Sequence, residues 1–142
     1  MRSAVIIQVG EGFVLIERIR EGQTYYLFPG GTVESEETPE EAAVREAREE
    51  LGLEIRLGQL AAIVAFEGML QYYFWATPVA GVFGSGKGEE LSSSPTSQRG
   101  SYRPTWLNIE SLALEDVRPK AMAYALSQGT LVPSNEVLHI QE

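Results

Sequence analysis

Within "REAREELG", residues 45 to 52, three glutamates, Glu46, Glu49 and Glu50, stand three and four positions apart. On a helix those spacings make neighbours, and like charges so placed repel by a few tenths of a kcal/mol per pair. A hard divalent cation offsets that repulsion, because carboxylate oxygens are the ligands that Mg²⁺ prefers. The rest of the chain narrows the choice. It has no cysteine and a single histidine, His139, so thiolate and multi-histidine metal sites are excluded and a bound metal must be held by oxygen. The net charge of -9 argues against neutralising the phosphates of a long nucleic acid, which calls for a basic patch. A small anionic substrate would be repelled as well, unless a cation bound by clustered carboxylates stands between it and the acids.

Such a cluster needs a helix to hold it. Thr38 is a candidate N-cap, Pro39 suits the first helical position, and Glu41, three residues after the cap, completes a capping box. Steps of 100° then place Ala43, Val44, Ala47 and Leu51 on one apolar stripe, with Gly52 as the C-terminal stop and the glutamates on the adjoining face, beside the core. Before this helix, β-branched runs at 4 to 9 and 12 to 19 read as a hairpin, and "TYYLF" at 24 to 28 as a third strand. "PGG" at 29 to 31 hands that strand over to a loop. Long strands are expected at 54 to 68 and 70 to 83, a last one at 102 to 109, and a second helix from about Val117 to Gln128. The stretch from Gly84 to Ser101 holds one large apolar residue, Leu91, and reads as a lid or a disordered loop; its "GSGKG" lacks the setting of a P-loop. Length and composition suit one domain over 1–142, a mixed sheet flanked by helices.

From Gly31 onward, "GTVESEETPEEAAVREAREELGL" fits G-x5-E-x7-R-E-U-x-E-E-x-G-U, where U is bulky and apolar. This resembles the signature of the Nudix hydrolases, matched at Gly31, Glu37, Arg45, Glu46, Glu49, Glu50, Gly52 and Leu53. Ala47, at the first U position, is smaller than usual, which should loosen packing without removing chemistry. The likeness covers most of the chain as a frame, but only the box is specific. It implies an α/β fold, a Nudix-type α/β/α sandwich with a mixed β-sheet and two main helices. It further implies Mg²⁺-dependent hydrolysis, with Mn²⁺ as substitute, of the pyrophosphate linkage in a nucleoside diphosphate linked to another moiety. By this resemblance Glu46, Glu49, Glu50 and the carbonyl of Gly30 are metal ligands, Glu37 supports the metal site or its loop, and Arg45 orients the acids. The spacing of Arg45 and Glu49 also permits a charge-assisted bond. Family members differ in the glutamate that serves as base. Glu50 is expected to bind metal and is open to base duty, Glu49 is a second catalytic candidate, and Glu89 or Glu90 is a further ligand or base.

Plainer readings compete. Taken alone, a run such as "REAREE" is usually a solvated helix face, and Glu89 and Glu90 read equally as an acidic loop. Tyr26, Phe28 and Tyr72 are candidates to stack on a nucleobase, although strand alternation sends many such rings to the core. Trp106 is expected to be buried. A nucleotide-sensing module that keeps the fold without turnover is the alternative function, opposed by the intact set of acids. The N-terminus lacks a signal-peptide pattern, and no apolar run reaches the roughly 20 residues of a membrane span. The expected setting is therefore cytoplasmic, with a small-molecule nucleotide as partner, no membrane or long nucleic acid, and a monomer or homodimer. Which nucleotide is cleaved lies outside the box.

Overall fold

The computed structural model describes residues 1–85, 100–133 and 136–142. Two mixed sheets form the centre. In the first, β1 (Arg2–Ile6) lies between β5 (Gly30–Thr32), antiparallel to it, and β7 (Met69–Gly81), parallel to it. Beyond β7 come β6 (Leu53–Phe66) and then β10 (Leu138–Gln141). The second sheet is built on β3 (Gly12–Arg20), which pairs with β2 (Gln8–Val9), β4 (Gln23–Leu27) and β8 (Ser101–Asn108), while β4 pairs with β9 (Val117–Arg118). The helices are α1 (Pro39–Leu51), the short α2 (Ser111–Leu114) and α3 (Lys120–Ser127).

Side-chain alternation divides the core in two. Val5, Ile7, Val14 and Ile16 point one way and pack with Ala43, Ala47 and Leu51 of α1. Ala4, Ile6, Phe13 and Leu15 point the other way and pack with Met122, Ala123 and Leu126 of α3. Strands buried on both faces read as continuous apolar runs, which is why β1 and β3 stand out in the sequence. The α/β/α expectation holds, though with two sheets in the middle layer instead of one.

Helix α1 follows its local signals. Thr38 accepts a hydrogen bond from the Glu41 N–H at 3.0 Å, and Glu41 accepts one from the Thr38 N–H at 2.9 Å. Gly52, with φ of 74°, closes the last turn in the left-handed region. The small Ala47 is fully buried, so its size suits a close approach of helix to sheet.

Several expectations need correction. The run at 4 to 9 splits near Ile7: only Gln8 and Val9 form a hairpin with β3, and the preceding residues enter the other sheet. Gly30 to Thr32 is a strand, not a loop, because Gly30 lets the backbones close up. A Cβ there would stand 2.3 Å from the Ser3 carbonyl oxygen and 2.5 Å from Ala4 Cβ. Val117 begins β9, not a helix. Its side chain is buried and paired with Tyr26, and Arg118 precedes Pro119, a position that disfavours helical backbone. Trp106 is 45% exposed, its ring lying over Gly12 and its Nε1 donating to the Val9 carbonyl at 3.0 Å. The strand β10 and the helix α2 have no counterpart among the expected elements.

Candidate active site

Arg45 projects from the middle of α1 and gathers the acids around it. Its Nε and Nη2 donate to Glu37 Oε2 and Oε1 at 2.8 and 3.0 Å, a two-pronged pairing. Nη1 donates to Glu46 Oε1 at 2.9 Å and to Glu49 Oε2 at 3.1 Å, and Nη2 also reaches the Thr32 carbonyl at 3.0 Å. One guanidinium thus ties the entry loop, β5 and the acidic face of α1 together. Glu50 is turned the other way, inward. It is 7% exposed, and its Oε1 accepts a bond from the Gly30 N–H at 2.6 Å.

Glu46 and Glu50 line one cleft of about 390 Å³, together with Gly30 and Gly31 of β5 and the cations Arg2 and Arg18. The glycines have different duties. A Cβ on Gly31 would lie 2.3 Å from Glu46 Oε1, so that glycine leaves the carboxylate its place, whereas Gly30 lets β1 and β5 approach. Gly31→Ala is expected to shift a flexible carboxylate, leaving the unfolding midpoint nearly unchanged but lowering turnover. Gly30→Ala meets backbone and is expected to destabilise the fold by about 2 kcal/mol or more, read from urea unfolding.

The electrostatics follow the same contacts. Hydrogen bonding to Arg45, helped by the Glu34 N–H, holds Glu37 down at about 2. Burial pushes Glu46 above its ordinary value, against the pull of Arg45. Bonding to Glu37 raises Arg45 further. A depressed carboxyl adds stability that is fully present above its unfolded value of 4.5 and is lost as pH falls toward about 2. Glu46 has the opposite sign and acts above 4.5, so the two windows separate. Glu37→Gln should therefore flatten the dependence of urea midpoint on pH below 4.5, while leaving the dependence at higher pH in place.

Among the sequence candidates, Glu37, Arg45, Glu46, Glu49, Glu50 and Gly30 come together around β5 and α1. Glu49 is half exposed at 51% and is not among the residues lining the cleft. Among the described residues, no three acidic or histidine side chains converge as they stand into one ligand cluster, because Arg45 holds Glu46 and Glu49 while Gly30 holds Glu50. The donor set still suits a hard dication: Glu46 and Glu50 share the cleft, with the Gly30–Gly31 backbone beside them. Phe28 is buried and forms part of the wall. Tyr26 does not line this cleft; its ring is in the core and its hydroxyl donates to Glu17 Oε2 at 3.4 Å. Tyr72 packs against the α1-side core instead. Glu89 and Glu90 lie outside the described residues. The lining residues Arg2, Arg18 and Tyr102 escaped the sequence reading. Strand pairing brings them there: it sets Arg18 opposite Tyr102, with the guanidinium 4.2 Å from its ring centre, and, in the other sheet, Arg2 opposite Thr32 of β5.

A helix carrying an arginine-tied acidic face, laid against a glycine strand over a two-sided core, defines a recurrent class of α/β domain. The NUDIX domain model matches residues 1–126, and the chain belongs to the Nudix family. It is similar to an RNA pyrophosphohydrolase of Marinomonas sp. (strain MWYL1), with 42% identity over 67 residues, which are 47% of this chain and 40% of that protein. The chain thus matches under half the length of that curated relative. In fold it is similar to a NUDIX hydrolase from Nitrosomonas europaea, with TM-score 0.70, 21% identity, and 94% and 91% of the two chains covered. It is also similar to an ADP-ribose pyrophosphatase from Streptococcus suis, with TM-score 0.67, 14% identity, and 97% and 96% covered. No helix among the described residues is long and apolar enough to cross a membrane.

Proposed function

We propose that this chain is a divalent-cation-dependent pyrophosphohydrolase acting on a small nucleotide-like substrate, a nucleoside diphosphate linked to a further group. The observation that carries this reading is the shared cleft, in which Glu46 and the buried Glu50 face the same space as Arg2 and Arg18. Acids and cations on one cleft suit a metal and an anion held side by side. Family membership and the short, strong match to an RNA pyrophosphohydrolase support the same chemistry.

Glu46 and Glu50 would hold the cation, Mg²⁺ or Mn²⁺, joined by the Gly30 carbonyl and by Glu49 once its bond to Arg45 loosens. The chemistry that such a cation supplies is neutralisation of phosphate oxygens and acidification of a bound water. Arg2 and Arg18 attract the substrate's remaining negative charge, while Arg45 fixes the rotamers of the acids. A carboxylate takes the water's proton, and Glu50, held in place by the Gly30 N–H, is the better oriented candidate. The test is a panel of nucleoside triphosphates, ADP-ribose, nucleotide sugars and dinucleoside polyphosphates with Mg²⁺ or Mn²⁺, scoring release of phosphate and pyrophosphate separately. Turnover that stops with EDTA is the expected result. Nucleotide binding without turnover of any panel member would instead make this a sensing module.

A further inference from the structure

Edge strands present unpaired backbone N–H and C=O groups, and folded proteins block them. Most edges here are blocked. On β5 the Gly30 N–H and the Thr32 carbonyl are taken by Glu50 and Arg45 of α1. On β8 Pro104 withholds a donor and Arg103 adds a charge, while β2 and β9 are only two residues long. The strand β10 differs. It ends the first sheet, paired with β6 on one side and with no described strand on the other, and Leu138–Gln141 contains no proline, lysine or acid. The direction of its backbone groups specifies what can pair there. The Glu142 N–H donates to the Ala65 carbonyl of β6 at 2.8 Å. Backbone groups change sides at each residue of a strand, so Leu138 and Ile140 also turn theirs to β6, and His139 and Gln141 turn theirs outward. A two-fold axis beside Ile140 would set His139 of one copy opposite Gln141 of another, antiparallel, and Gln141 opposite His139. Each such pair exchanges both of its N–H···O bonds, so this edge is complementary to itself. A groove of about 200 Å³ floored by Ile63 and Ala65 runs along the same edge, outside the apolar cluster that α1 covers.

We infer that β10 is the contact through which two copies of this chain join, edge to edge and antiparallel, into one sheet that runs through both. It lies at the opposite end of its sheet from β5, so the cleft of Glu46 and Glu50 stays open in each copy. Sedimentation of a dilution series at about 0.15 M salt, which screens the repulsion between two chains of net charge -9, should give the mass of two chains, falling to one on dilution. Gln141→Pro removes an outward donor and spares the bonds to β6, so it should raise the dissociation constant about tenfold or more while the urea midpoint of the diluted protein stays put. The chain has no cysteine, which permits a second measurement that reports the register. Across the axis the Cα atoms of Ile140→Cys would stand about 4.5 Å apart, within disulfide reach, whereas those of His139→Cys would stand about 7 to 8 Å apart. Mild oxidation should therefore cross-link the first about tenfold faster than the second or better. If Gln141→Pro fails to fold, the cross-linking rates alone decide. A parent of single-chain mass at every concentration overturns the inference. So does a dimer that Gln141→Pro leaves equally tight, or one in which both cysteine variants cross-link at the same rate.

Discussion

Glu50→Gln is expected to reduce kcat with Mg²⁺ by about 10² to 10⁴, the range over which a positioned proton acceptor contributes, with the fold intact. The side chain is 7% exposed and accepts the Gly30 N–H at 2.6 Å. Glutamine keeps the shape and the accepting oxygen, so the bond to β5 survives while the negative charge does not. The thermal midpoint should hardly move. Glu49→Gln is the informative partner, because Glu49 is half exposed and leans on Arg45 at 3.1 Å. With Mg²⁺ saturating for each variant, so that weakened cation binding is compensated, a smaller loss there than at position 50 assigns proton transfer to Glu50, and the reverse order assigns it to Glu49. If both variants keep more than a tenth of the parent activity, the base lies elsewhere, with Glu89 and Glu90 the next to substitute.

Arg45→Met should cost about 2 to 4 kcal/mol of stability in urea unfolding and lower kcat more than tenfold. The guanidinium serves Glu37 twice, Glu46, Glu49 and the Thr32 carbonyl, and its side chain is 21% exposed. Methionine retains part of the packing but leaves neighbouring carboxylates to repel one another across the helix face. Lysine keeps the charge without the planar fork, so Arg45→Lys should recover less than half of the lost stability. A double-mutant cycle with Glu37→Gln isolates the two-pronged pair. Additive effects at the two positions would show that the loop and the helix are not coupled through this contact.

What could be read without coordinates follows the range of the physics. The capping box of Thr38 and Glu41, the stripe of Ala43, Ala47 and Leu51 and the stop at Gly52 act within a few residues, and each appears in α1 as expected. The acids of the box were legible for the same reason. Pairing between distant strands was not. Nothing local tells that Arg2 and Arg18 look into the cleft of Glu46, or that Arg118 and Tyr25 stack. Gly30 was legible as permissive backbone, yet its main work, admitting Ser3 and Ala4 at close range, depends on a strand far away in the chain. Val117 misled because an apolar residue before a helical pattern looks like its first turn, whereas its pairing with Tyr26 makes it a strand. Trp106 misled because size suggested burial, while the bare surface of Gly12 offered the ring a seat at the edge.

The position of β1 bears on how this molecule is made. Its neighbours in the sheet are β5 and, in parallel, β7 from Arg2↔Gln71 to Ile6↔Trp75, and α1 closes over its face. A parallel partner so distant in sequence has to be brought back against loop-closure entropy before it rewards the chain. During synthesis, the greasy segment around Val5 and Ile6 must therefore wait, without its partner, until the ribosome has delivered Trp75. Nascent chains halted before that point should be the ones that chaperones hold and proteases cut, whereas chains halted after β7 should begin to resist both.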